Sequence, residues 1–353
     1  MKRTLPYIHH FVALALLALM SMAIGCGSNR PVAHWDQKVL AVGRAHDAGK
    51  IDQAERDYLR LLKNPPSEDA RRFVLTELAK ISAQREDWGE ALKRYKMVYA
   101  EGIDDEASAT AHYRTGIILD EHFGEHERAL KMRRDTITRF PRSVAAEMAV
   151  RDHAVYYKKA GDFEAMKRDF NQLASKVKGE PALGTLLFAA AHQLHKAGRT
   201  SEALPYYRRV WTEDPDGHLA DDSLWEAAQI YEKRQDWPNA IAVYRKAAGL
   251  LQSAWFMGND NSPWANDARR NLGYIYMLFL DDYPAALREF DQFLVDFPDG
   301  LLTDDVAWDR VHVLRLMHGQ TAFEEAMREF AKQYPESRYI REVKRRLGEE
   351  AVQ

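Results

Sequence analysis

Apolar side chains recur along this chain at helical spacing, in blocks that repeat about every 37 residues. A small or apolar residue opens each block, and the next apolar residues follow at +4 and usually at +7. Steps of four and three residues place all of them on one helix face. The opening residues, called anchors here, are Ala54, Ala91, Ala129, Met166, Ala203, Ala240, Ala286 and Phe323. Successive anchors lie 37, 38, 37, 37, 37, 46 and 37 residues apart, which predicts a serial array of similar helices.

Each block also signals where its helix begins and ends. In five blocks a proline stands twelve residues after the anchor, where it stops the helix. In four blocks an aspartate stands four residues before the anchor, where it can cap the first turn. These aspartates are Asp87, Asp162, Asp236 and Asp282. A preceding helix with small central residues, as in Leu224-x2-Ala227-Ala228-x2-Tyr231, completes a helical pair.

This two-helix pattern is similar to the tetratricopeptide repeat, with its small pair, its alanine and aromatic, and its closing proline. The resemblance implies an all-α fold, a TPR-type α-solenoid over residues 35–350. It would be a right-handed superhelix of about eight hairpins, with a concave groove lined mainly by the first helices. Turns such as Phe140-Pro141-Arg142-Ser143 and Tyr334-Pro335-Glu336-Ser337 further resemble repeats of BamD-like and Tol-Pal-associated envelope proteins.

The amino terminus predicts export and a lipid anchor. Lys2 and Arg3 precede an uncharged run from Phe11 to Gly25, which is typical of a secretory signal. The only cysteine, Cys26, follows directly and resembles the lipidated residue of a bacterial lipobox. We therefore expect a lipoprotein signal peptide over 1–25, with a palmitate-bearing Cys26 opening a tether over 26–34. An uncleaved anchor helix or an ordinary signal peptide is the alternative reading.

The resemblance also implies a location, because no aspartate follows Cys26 to retain the protein at the inner membrane. We expect it at the periplasmic face of a bacterial outer membrane. Without residues 1–25 the chain has 48 basic and 53 acidic residues, a net charge of −5. Those charges are mixed along the chain, which does not favour a nucleic-acid partner.

The sequence predicts no catalytic residue and no cofactor. It has no G-x-S-x-G elbow and no phosphate-binding glycine loop. His122 and His126 have the spacing of a zinc pair, but Gly124 between them indicates a turn, so we predict no metal there. Paired carboxylates such as Asp281-Asp282 are explained by helix capping and the helix dipole.

One irregularity interrupts the period. The 46-residue step inserts about nine residues near a polar loop over 253–264 that carries Trp255, Phe256, Met257 and Trp264. Long loops are often functional, and tryptophan is enriched at binding hot spots. We predict that these four residues contact a partner, while a loop that plugs the gap between repeats is the alternative.

The resulting functional hypothesis is a non-enzymatic, lipid-anchored scaffold that mediates protein–protein interactions in a bacterial envelope complex. Its partners would be envelope proteins whose peptide segments lie in the concave groove. Outer-membrane assembly, secretion, division and motility machinery remain open. The alternative is a solenoid that binds or processes peptidoglycan or another glycan.

Overall fold

In a computed structural model, which describes residues 30–100, 102–249 and 264–348, the protein is helical and these ranges contain no β-strand. The helices are α1 Arg30–Asp47, α2 Ile51–Leu62, α3 Glu68–Gln84, α4 Trp88–Tyr99, α5 Glu106–Glu121, α6 His126–Arg139, α7 Val144–Ala160, α8 Phe163–Lys176, α9 Ala182–Lys196, α10 Thr200–Glu213, α11 Ala220–Lys233, α12 Trp237–Ala248, α13 Ala265–Leu278, α14 Tyr283–Asp296, α15 Thr303–His318, α16 Gln320–Gln333 and α17 Ile340–Leu347. Helices α1 to α16 form eight consecutive pairs, each with one anchor in its second helix, and α17 follows the last pair.

Two compact units divide the chain, unit 1 over residues 1–129 and unit 2 over residues 130–353. In unit 1, α1 packs on α2 and α3 on α4, while α2 also packs on α3 and α4 on α5. In unit 2 each helix from α7 to α16 packs on the next one along the chain. The predicted all-α array of helical hairpins is confirmed, whereas the superhelix and its groove stay predictions.

The anchors lie in the core. All eight are at most 2 % exposed. The aromatic residues at +4, such as Tyr58, Tyr244 and Phe290, are equally buried. Burying a side chain of this size contributes about 1.5–3 kcal/mol. A helical pair gains this stability only when its apolar face packs against a neighbouring pair.

Local chemistry sets the helix boundaries as predicted. The side chains of Asp87, Asp162, Asp236 and Asp282 each accept a hydrogen bond from the backbone N–H three residues later. At the other end, α6, α10, α14 and α16 stop one or two residues before a proline. Helix α1 begins at Arg30, within the predicted tether over 26–34, and the tether itself stays a prediction.

The turn inside a pair has the same length in seven of the eight pairs. A residue with positive φ stands five residues before the anchor in seven pairs and four residues before it in the eighth. These residues are Gly49, Glu86, Gly124, Gly161, Gly198, Gln235, Asp281 and Gly319. Positive φ costs an L-residue with a side chain roughly 1–2 kcal/mol, so the turns at Glu86, Gln235 and Asp281 are strained.

None of the described helices is both long and apolar enough to span a membrane.

Candidate interaction surfaces

The structure describes only part of the predicted site. Cys26, Trp255, Phe256 and Met257 lie outside the described residues, so lipidation and partner contact there stay predictions. Trp264 is described and directly precedes α13, the first helix of the seventh pair.

Two contacts hold the indole ring of Trp264. The ring stacks on Trp225 of α11, with centroids 4.8 Å apart and planes inclined by 11°. Its Nε1–H donates a hydrogen bond of 2.6 Å to Oδ1 of Asp222, also on α11. Both tryptophan rings are half-buried, so they offer apolar area to a ligand while their orientation is already fixed. We call these three residues the Trp225–Trp264 surface.

Polar groups on α11, α12 and α13 support this surface. The ring of Tyr244 meets Trp225 edge-on at 5.7 Å. Its hydroxyl donates to Oε2 of Glu232 at 2.6 Å and accepts from Nδ2 of Asn271 at 3.1 Å. Burial, aided by the Glu232 carboxylate, raises the pKa of Tyr244, so its hydroxyl stays protonated. The tyrosine therefore links three helices by fixed hydrogen bonds beneath the tryptophan pair.

Unit 2 also contains a buried polar cluster that the sequence did not reveal as a set. The Nε2 atom of His153 lies 2.6 Å from Oδ2 of Asp169, which also accepts the Tyr157 hydroxyl at 2.8 Å. The Arg134 guanidinium donates to both oxygens of Asp169 at 2.9 and 3.0 Å. The cluster joins α6, α7 and α8. His153 lies in α7 and is fully buried.

The electrostatics of the cluster follow from burial and charge. Burial lowers the pKa of His153 and outweighs the Asp169 carboxylate, so the imidazole is neutral at pH 7. Burial raises the pKa of Asp169, but the donors His153, Tyr157 and Arg134 more than offset this and lower it to about 2. Because His153 has no exposed surface, it cannot exchange a proton with a bound substrate. The cluster is a structural joint between helices.

The two histidines considered for zinc are separated as the glycine predicted. His122 directly follows α5 as its C-cap, Gly124 adopts positive φ, and His126 begins α6. The His122 ring stacks on Trp88 at 3.5 Å, and Nδ1 of His126 lies 2.6 Å from Oδ1 of Asp120. Within the described residues no group of three or more His, Cys, Asp or Glu side chains could hold a metal ion.

The repeat pattern predicts core positions for four aromatic residues, Trp88, Tyr207, Trp237 and Phe290, and two of the four are not fully buried. Tyr207 and Phe290 are buried as expected. Trp88 and Trp237 are only half-buried. They begin second helices, and Trp237 stacks on Phe279 with centroids 4.4 Å apart. Their place three residues before the anchor puts them at the end of the hairpin instead of its centre.

Comparison with known proteins identifies the repeat. A family model described as "Tetratricopeptide repeat" matches residues 226–253, which run from α11 through α12. Among curated proteins no sequence matches the chain.

Several solved structures are similar in fold. A tetratricopeptide repeat protein from Parabacteroides merdae is 15% identical, covers 77% of this chain and 96% of its own, and has a TM-score of 0.35. The C-terminal part of a TPR repeat-containing protein from Cytophaga hutchinsonii is 13% identical, with coverages of 76% and 98% and a TM-score of 0.39. PilW, described as a widely conserved type IV pilus biogenesis factor, is 12% identical, with coverages of 77% and 97% and a TM-score of 0.32.

The matched segment corresponds to the sixth helical pair, whose anchor is Ala240. The other pairs keep the same order of positive-φ turn, buried anchor and buried residue at +4. The chain therefore contains a tetratricopeptide repeat at residues 226–253, and its other helical pairs follow the same pattern.

Proposed function

We propose that this protein is a scaffold for protein–protein interactions, held on a bacterial envelope membrane by lipid on Cys26. The observation that carries the proposal is that helical pairs make up the described chain, since every helix from α1 to α16 belongs to one. A repeat array of this kind buries its apolar stripes between neighbours and leaves long polar faces for docking.

The docking mode is capture of a peptide segment on the first helices of the pairs. The Trp225–Trp264 surface supports this mode, because a half-buried aromatic pair with fixed orientation loses little side-chain entropy on binding. The lipid would confine the scaffold to the membrane plane and raise its effective concentration near membrane partners. The partners would then belong to a multiprotein envelope complex.

Site-specific photo-crosslinking tests the docking mode. A crosslinking residue replaces Gln229, one turn after Trp225 on α11, and a control replaces the exposed Arg208 on α10. We expect discrete protein adducts from position 229 alone, and their loss in a Trp264→Ala variant. Equal adducts at both positions would refute the docking mode. Binding to isolated peptidoglycan that Trp264→Ala abolishes would favour the glycan-binding alternative.

Labelling with palmitate tests the lipid attachment at Cys26 separately. We expect the chain to incorporate labelled palmitate and its Cys26→Ala variant to incorporate none, because the thiol is the acceptor. Globomycin, which blocks cleavage of lipoprotein signals, should leave the uncut precursor. An unlabelled chain that is still cut before residue 26 would show an ordinary secretory signal instead.

A further inference from the structure

The turns inside the helical pairs of unit 2 form one continuous edge. The Arg199 guanidinium, between α9 and α10, lies 2.5 Å from Oε1 of Glu164 near the start of α8. Arg234, after α11, donates to Oγ of Ser201 in α10 at 3.0 Å. The Trp237–Phe279 stack connects the next two turns. Four consecutive turns, from α7–α8 to α13–α14, are therefore in side-by-side contact.

Three of these turns carry lysines that form no ion pair among the described residues. They are Lys158 and Lys159 at the end of α7, Lys196 at the end of α9 and Lys233 at the end of α11, and all four are exposed. The helix dipole favours a cation at each of these positions. It does not supply a counter-ion, so the ammonium groups remain available to an anionic partner.

The carboxylates beside these lysines are already engaged. Asp162 and Asp236 accept hydrogen bonds from the first turns of α8 and α12. Glu164 pairs with Arg199, and Glu232 accepts the hydroxyl of Tyr244. These carboxylates keep their negative charge but are held in place by their partners, whereas the four lysine ammonium groups have no counter-ion among the described residues and can reach a partner.

The fourth turn is apolar instead of basic. Leu278, Phe279 and Leu280 are 60 %, 52 % and 41 % exposed, in a position where the preceding turns carry lysine. The two aspartates that follow are engaged, since Asp281 accepts from the Tyr283 hydroxyl and Asp282 caps α14. Three consecutive exposed apolar side chains form a patch, which in water usually marks a contact surface.

We propose that this edge, made of the four lysines and Leu278-Phe279-Leu280 and named the basic–apolar edge, docks on an anionic phospholipid membrane. Lysines near such a surface are attracted by the headgroup phosphates, and neighbouring apolar side chains enter the interface. A phospholipid membrane offers phosphates to the lysines and an apolar interior to Leu278, Phe279 and Leu280. An acidic protein or a nucleic acid would match only the lysines. The inference rests on the proposed function in one respect, because lipid on Cys26 would bring the edge near a membrane. The contact between the edge and the membrane does not depend on that lipid.

Vesicle flotation of the full chain tests the contact. The protein carries Cys26→Ala, so an attached lipid cannot contribute. Vesicles of phosphatidylcholine are compared with vesicles in which about a third of the lipid is phosphatidylglycerol. We expect tighter binding to the anionic vesicles, weakened by salt. An edge variant with glutamine at positions 158, 159, 196 and 233 should lose about tenfold or more of that affinity.

A matched control separates the edge from net charge. Lys176, Lys178, Lys246 and Lys332 are also exposed, and all lie in or just after the last turns of second helices, at the opposite end of the hairpins. Changing these four to glutamine alters the charge equally and should leave vesicle binding unchanged. A Leu278→Ser, Leu280→Ser variant should weaken binding with less dependence on salt.

Three results would overturn the inference: equal losses in the edge and control variants, no preference for phosphatidylglycerol, or displacement of the vesicles by an acidic peptide or nucleic acid. Circular dichroism of each variant confirms that it is folded. Since the assay lacks the Cys26 thiol and palmitate labelling does not depend on the edge, failure of either proposal is distinguishable from failure of the other.

Discussion

Gly273 lies in the middle of α13, where it packs against Phe290 of α14. A methyl group added there would lie 2.1 Å from Cε1 and 2.6 Å from Cδ1 and Cζ of Phe290. Ordinary carbon contacts need about 3.5 Å, so the ring would have to move by about 1.4 Å. Phe290 is fully buried and meets the ring of Tyr274 edge-on at 6.0 Å, so it has no free space to enter.

The expected size of the effect is a difference between two terms. Overpacking a core costs about 1–3 kcal/mol, and Gly→Ala in a helix interior gains about 1 kcal/mol. Because the ring is confined, we expect the upper end of the cost and a net loss of about 2 kcal/mol for Gly273→Ala. For a unit of this size that lowers Tm by about 4–8 °C.

Gly43 in α1 supplies the matched control. Its added methyl group would meet only the Tyr58 hydroxyl, at 3.9 Å, so Gly43→Ala should stabilise the protein by about 1 kcal/mol. Thermal unfolding gives the sign for each variant, and hydrogen exchange in α13 and α14 locates the loss. Adding Phe290→Leu to Gly273→Ala should restore part of the stability. A Gly273→Ala protein as stable as Gly43→Ala would refute the packing argument.

Three further predictions concern stability. In urea unfolding, the free energy of unfolding should fall as the pH drops below about 6.5, because the lowered pKa of His153 leaves the unfolded chain to take up the proton first. It should fall further from about pH 3.8 towards the Asp169 pKa of about 2. His153→Gln should reduce the first phase without abolishing it, because burial also lowers the pKa values of His192 and His312. Gln235→Gly should raise Tm by relieving about 1 kcal/mol of turn strain, while Gly198→Ala should lower Tm. Changes in Tm of the same sign in both variants would contradict the turn argument. Asp282→Ala should cost about 1 kcal/mol in chemical unfolding, and Asp282→Asn, which still caps, should cost far less.

The helical array could be predicted because its determinants are local. The spacing of anchors, the Asp caps and the closing prolines each act within one or two turns of a helix, and the structure confirms them at Asp87, Asp162, Asp236 and Asp282. The close approach at Gly273 also follows from a small residue in the middle of a first helix.

Contacts between pairs could not be predicted in the same way. Asp169 meets Arg134 from 35 residues earlier, and neither residue has a signal in its own helix that names the other. The repeat pattern predicts a core position for Trp237, yet this residue stacks on Phe279 at the hairpin end. The indole of Trp264 reaches back 42 residues to Asp222, which only the stacking of pairs brings near.

The distance of five residues from the positive-φ residue to the anchor, kept in seven of the eight pairs, makes the two ends of these hairpins differ in their tolerance of inserted residues. One residue inserted into that turn would rotate the second helix by about 100° and turn its apolar stripe towards water. The connection between one pair and the next is under no such restriction, and the nine extra residues before α13 fall there. Fusions and inserted sequences should therefore be tolerated between pairs and rejected within them.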